Sequence, residues 1–148
     1  MKSRYSIKIN GNNREILSVT LQDILTKIEN GQNLKWALLS IYAIGDLGHN
    51  KSMLNFEEDI NKSKNGVLFN WDELKALSTK FEQVIEIVLI GSQLTSTLKR
   101  YQDDVEMFSA CDYTIELIDS SYWIVHALER ESLEQLKDGL PGVEYLND

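Results

Sequence analysis

The chain predicts an α+β fold, a mixed, largely antiparallel sheet with helices packed on it, in a single compact domain. Three observations carry this. Hairpin-type turn signals stand at both ends, Asn10-Gly11 after one alternating run and Asp119-Ser120-Ser121 between two apolar runs. Helical periodicity is confined to short segments between them. One proline, Pro141, and no Gly/Ser-rich stretch leave no linker, so the 148 residues read as one domain (1–148), and 43% apolar residues suffice for a core.

Tyr5-Ser-Ile-Lys-Ile9 alternates, and Arg14-Glu-Ile-Leu-Ser18 follows the Asn-Gly turn, so strands are expected at about 4–9 and 14–18. Thr20 then caps a helix, with Asp23 in the capping-box position. Leu21, Ile24, Leu25 and Ile28 share one face of it, and Gly31 is expected to end it as a left-handed residue. Leu34 to Ile44 is apolar on both parities and predicts a central strand covered on both faces, a buried helix being the other reading. A short helix is expected at 53–62 and a short strand at 67–69. Asn70 caps a helix beginning Trp71-Asp-Glu-Leu74, whose acids suit the positive helix end. Val84 to Ile90 fits helix or strand by spacing, and its β-branched density favours a strand.

Tyr101, Val105 and Phe108 predict a helix over about 100–110. Residues 113–118 and 122–128 form a hairpin, which a two-residue Ser-Ser loop would close. That register pairs Leu117 with Ile124 and Ile115 with His126 on one face, and Ile118 with Trp123 and Glu116 with Val125 on the other. A helix at 131–138 ends at Gly139, and 143–146 closes the sheet as an edge strand open to a partner or a second copy.

No arrangement for chemistry stands out. Cys111 is the only cysteine, which leaves no internal disulfide and no multi-cysteine metal site, and it reads as a small buried residue. His49 reads as a solvated loop residue, and His126 as a partly buried one on the Ile115/Ile124 face. Neither histidine has a His or Cys at metal-ligand spacing. Gly45-Asp-Leu-Gly48 lacks the spacing and lysine of a phosphate loop, and Glu57-Glu58-Asp59 reads as a solvated face. Carboxylate pairs at Asp103-Asp104 and Glu116/Asp119 could serve as acid and base only if their surroundings separated their pKa values. Catalytic residues, cofactor and metal are therefore all expected to be absent. The N-terminus has no signal-peptide run and no stretch is long enough to span a membrane, so a cytoplasmic protein is expected.

Charge is the strongest functional signal. A formal net charge of −8 disfavours nucleic acid and anionic membranes as partners. Residues 1–100 hold 13 Lys/Arg and 11 Asp/Glu, whereas residues 101–148 hold 2 and 12. A helix N-terminus accounts for Asp103, Asp104 and Glu106 but not for the rest. Tyr122 and Trp123 are adjacent, so in a strand they point to opposite faces and one is hard to bury. Exposed aromatics beside carboxylates have the composition of a protein-binding hot spot. The expected contacts are Asp103, Asp104, Glu106, Glu116, Asp119, Tyr122 and Trp123.

Residues 43–48 (AIGDLG), 65–74 (NGVLFNWDEL) and 111–123 (CDYTIELIDSSYW) resemble a group of bacterial immunity proteins of polymorphic-toxin and contact-dependent growth inhibition systems. The resemblance runs from about residue 5 to 146. It implies a partner, a basic toxin domain such as a nuclease, and no particular contact residues. The alternatives are an acidic regulatory or adaptor domain without a toxin partner, and an enzyme using His126 or a carboxylate pair in a pocket.

Overall fold

The computed structural model describes residues 5–11, 18–48 and 52–146. They form, in order, β1 (Tyr5–Ile9), α1 (Leu21–Thr26), β2 (Lys35–Gly45), α2 (Met53–Lys62), β3 (Val67–Phe69), α3 (Trp71–Ser78) and β4 (Phe81–Ser92). Then come α4 (Asp104–Ala110), β5 (Tyr113–Ile118), β6 (Tyr122–Ala127), α5 (Glu131–Gly139) and β7 (Val143–Tyr145). The seven strands make one sheet in the order β3-β2-β4-β5-β6-β1-β7, antiparallel at every pairing. The α+β class and the strands at 67–69, 84–90 and 143–145 follow the expectation. The expected strand at 14–18 and the reading of His49 fall outside the described residues, save Ser18, which is not in a strand. Both edges of β1 are taken, by β6 and β7.

Local chemistry places several helices as anticipated. Thr20 Oγ1 accepts from the Asp23 amide at 3.1 Å while the Asp23 carboxylate accepts from the Thr20 amide at 2.9 Å. Asn70 and Glu73 make the same reciprocal pair at 2.8 Å each way, so two otherwise orphaned amides are satisfied at each helix start. Gly31 departs from expectation. α1 ends earlier, at Thr26, and Gly31 opens a 3₁₀ turn instead of terminating the helix in a left-handed conformation. A packed ring demands the glycine: a Cβ there would lie 2.5 Å from the indole of Trp71.

β2 is buried on both faces only in its first half. Ala37 and Leu39 are covered, but Tyr42 is 57% and Ile44 51% exposed. Where β3 stops pairing, α2 closes the edge of β2. Asn61 both donates to and accepts from the Ile41 backbone at 3.1 Å, and the Glu57 carboxylate accepts from the Ala43 amide at 2.7 Å. Glu57 therefore does not belong to a merely solvated face, whereas Glu58 does, with Lys62 at 3.8 Å. Arg100 donates to the Ile60 and Ser63 carbonyls, each at 2.8 Å, and so caps the other end of α2.

The two sheet faces are covered unequally. On one, Ile7, Trp36, Leu38, Leu89, Ile115 and Trp123 pack against Leu21 and Ile24 of α1, Leu74 of α3 and Leu133 and Leu136 of α5. On the other, Ala37, Leu39 and Ile90 meet Leu98, Met107 and Cys111, with Tyr101 and Phe108 beside them. Among the described residues no helix is long and apolar enough to cross a membrane.

Candidate functional site

The hairpin of β5 and β6 sets which side chains share a surface. Its loop has three residues, not two. Ile118 pairs with Tyr122, Leu117 with Trp123, Glu116 with Ile124, Ile115 with Val125 and Thr114 with His126. Asp119 and Ser120 adopt φ of 52° and 58°, the left-handed region that Asp tolerates better than most residues. A tertiary contact holds that turn: the Ser120 amide donates to the Ile85 carbonyl at 2.8 Å, beyond the last β4–β5 pair at Ile87. The one-residue change exchanges the face partners expected from the sequence. His126 stands with Thr114 and not with Ile115.

Trp123 consequently faces the main core. It is 1% exposed and its Nε1 donates to the Val19 carbonyl at 2.8 Å. This corrects its assignment as a contact residue, because it presents no surface. Tyr122 is the aromatic left partly outside, with the Lys8 ammonium 4.4 Å from its ring centroid.

The remaining expected residues gather around α4 and the hairpin. Asp103 is the N-cap of α4, its carboxylate accepting from the Val105 amide at 2.8 Å. Asp104 and Glu106 lie exposed in the first turn, and Asp119 is exposed in the hairpin turn. Glu116 is half-buried on β5, between Val88 on β4 and Ile124 on β6. Burial, and then the nearby Asp104 charge, push its carboxyl up to about 7. Among the described residues none donates a hydrogen bond to it, and no ion pair engages any of these five acids.

The acidity of the last third is divided between the two sides of the sheet. α5 packs on the main core and carries Glu131, Glu134 and Asp138 there, away from α4. Parity on β2 and β4 adds groups the sequence reading left out. Ala43 faces the main core, so Tyr42 and Ile44 face the α4 side, and Glu86, paired with Tyr42, joins them. Ser40 and Tyr42 within the apolar run were the available signal.

The same face contains the groups considered for catalysis. Cys111 is fully buried, and burial raises its thiol to about 11, which disfavours the thiolate. His126 is 7% exposed, its Nδ1 lies 2.7 Å from Ser6 Oγ, and its ring stacks on Phe108 with centroids 3.6 Å apart. A cavity of about 260 Å³ lies on the other side, lined by Val19, Phe81, Glu82, Leu117 and Trp123 among others; neither His126 nor Glu116 lines it. Among the described residues no group of three or more His, Cys, Asp or Glu is placed to hold a metal ion.

Comparison with protein-family models, with curated proteins and with solved structures returns no match.

Proposed function

We propose that the chain is an immunity protein that binds and neutralises a basic toxin domain, a nuclease domain being the type its charge suits best, through the acidic surface of α4 and the β5–β6 hairpin. The observation that carries this reading is the acid on α4 and the hairpin: Asp103, Asp104 and Glu106 stand at the start of α4, Asp104 is near Glu116 on β5, Asp119 lies in the turn that leads to half-buried Tyr122, and no ion pair among the described residues neutralises them. The resemblance of residues 43–48, 65–74 and 111–123 to immunity proteins gives it a biological setting. A nuclease site is cationic because it holds phosphates, and a rigid acidic surface can occupy it in their place. Opposed charge also speeds capture, towards about 10⁸–10⁹ M⁻¹s⁻¹ at low salt. The toxin would be met in the cytoplasm, before it acts.

Co-expression with the toxic domain encoded beside the chain, scored by survival and co-purification, tests the role. An adaptor rescues cells from no toxin. The double variant Asp103→Lys/Asp104→Lys, with its fold checked by circular dichroism, should bind the toxin domain at least about tenfold more weakly, and the loss should shrink with added salt. Unchanged affinity would take α4 out of the interface.

A further inference from the structure

The α4 side of the sheet is only half covered. Residues 98–111 close it over Ala37, Leu39, Ile90 and His126. Beyond them Tyr42 and Ile44 are more than half exposed, and Ile118, Tyr122 and Ile124 are half-buried. An antiparallel sheet with one wet face ordinarily turns polar side chains outward there. This one turns out two tyrosines and three isoleucines, a composition that marks a contact surface.

The charges on the open half specify what can cover it. Glu86, Glu116 and Glu144 project from β4, β5 and β7, Asp104 stands near Glu116, and Asp119 lies in the adjoining turn. Lys8, opposite Ile124 and Glu144, opposes them from β1. Nucleic acid and anionic lipid have the wrong sign for this surface. A second copy of the chain would bring the same acids against themselves. Glu116 is the informative group, because a carboxylate set between Val88 and Ile124 with no donor among the described residues costs stability in the free chain. A cation supplied from outside offsets that cost.

We infer that the open half of the sheet, centred on Glu116 and rimmed by Tyr42, Ile44, Ile118, Tyr122 and Ile124, docks a protein surface that presents an arginine or lysine amid apolar side chains. This rests on the toxin-binding reading and narrows it from α4 to the sheet itself. The arriving cation contacts Glu116, with Asp104 beside it, while apolar side chains cover the isoleucines. A cation favours the ionised carboxylate, so binding strengthens as pH rises through about 7, where Glu116 titrates in the free chain. The charged groups on this half are Asp104 on α4, Glu86 on β4, Lys8 on β1 and Glu144 on β7, and the imidazole of His126 on β6 lies on the same face.

The test is a titration of the isotope-labelled full chain, followed by nuclear magnetic resonance, with a ten-residue peptide alternating arginine and leucine. Saturable shifts are expected at Tyr42, Ile44, Glu116, Ile118 and Ile124. Affinity at pH 6 should be lower than at pH 8 by up to about tenfold, the factor a group titrating near 7 allows. Glu116→Gln should weaken binding at pH 8 and remove most of this pH dependence, whereas a dependence caused by His126 would survive it. Three results would overturn the inference: shifts gathered on Glu131, Glu134 and Asp138 of α5; equal affinity for a peptide alternating arginine and serine; or a free chain that sediments as a dimer through this face. The toxin co-expression separates this from the broader proposal. Rescue by the wild type that persists undiminished in Tyr42→Ser/Ile44→Ser sinks the docking surface and leaves the immunity role standing. Failure of the wild type to rescue sinks the role, and the peptide map is then judged alone.

Discussion

On the face under α1, α3 and α5 the strands present Ile7, Leu38, Leu89, Ile115, Trp123 and Val125, none more than 1% exposed. On the face under α4 the same strands present Lys8, Tyr42, Glu86, Glu116, Tyr122 and Ile124, all at least partly open to solvent. The first face follows the rule that burying a large apolar side chain stabilises a domain by about 1.5–3 kcal/mol. The second retains groups that do the opposite. Besides Glu116 it holds Thr114, fully buried, with no hydrogen-bond partner for its Oγ1 among the described residues. The contrast separates residues that hold the fold from residues left available to something else.

Adjacent residues offer the sharpest way to break this comparison. Trp123→Ala should cost about 3–5 kcal/mol in urea denaturation, because it empties the core and orphans the Val19 carbonyl. Tyr122→Ala, one residue away, should cost less than about 1 kcal/mol. Similar losses from the two would mean that both faces support the fold alike.

Glu116→Gln is expected to come next in size, with the opposite sign. The folded carboxyl titrates at about 7, above its ordinary 4.5, so the folded state binds this proton more tightly than the unfolded chain does. The resulting stabilisation is present below about pH 4.5 and is lost as pH rises to about 7. The glutamine variant should therefore be more stable than wild type at pH 8, by about 1–2 kcal/mol. That is less than the whole shift would give, since the carboxylate keeps contact with water. Near pH 4 the two proteins should melt alike. A variant no more stable at pH 8 would show that Glu116 is already solvated or paired. Together with the docking inference, this predicts that binding strengthens over the pH range in which the free fold weakens.

The smallest effects compare two helix caps. Asn70→Ala, in the α3 capping box beneath the main core, should cost about 1 kcal/mol by thermal denaturation. Asp103→Asn on α4 should change stability by less than about 0.5 kcal/mol, because asparagine caps as well as aspartate and relieves repulsion with Asp104 and Glu106. A large loss from Asp103→Asn would mean that its charge serves the fold.

Much of this arrangement was legible in the residues. The capping pairs at Thr20/Asp23 and Asn70/Glu73, the strand nature of Val84–Ile90 and the closing strand at 143 depend on neighbours within a few positions. The candidate surface was legible only in part. Asp104 does stand near Glu116, but Trp123 turns into the core, and Tyr42, Ile44 and Glu86 entered only with the sheet. The missed residues on β2 and β4 follow from strand pairing across the sheet, and the shifted face partners of β5 and β6 from the hairpin register. Asp119-Ser120-Ser121 permits a two- or a three-residue loop, and the hydrogen bond from Ser120 to Ile85, 35 positions away in the chain, accompanies the longer one.

Gly31 makes the same point in the backbone. Its position beside a helix end read as a local terminator, yet the glycine is required by Trp71, which arrives from a different helix. The sequence by itself determined the class of the fold, most element positions, the helix caps and the concentration of acid in the last third, because each depends on short-range periodicity, local hydrogen bonding or composition. Only the tertiary structure decided which acids share a surface, which of Tyr122 and Trp123 is buried, and that half of one sheet face stays open. Those outcomes depend on strand order and register, where a single-residue change reassigns which side chains meet.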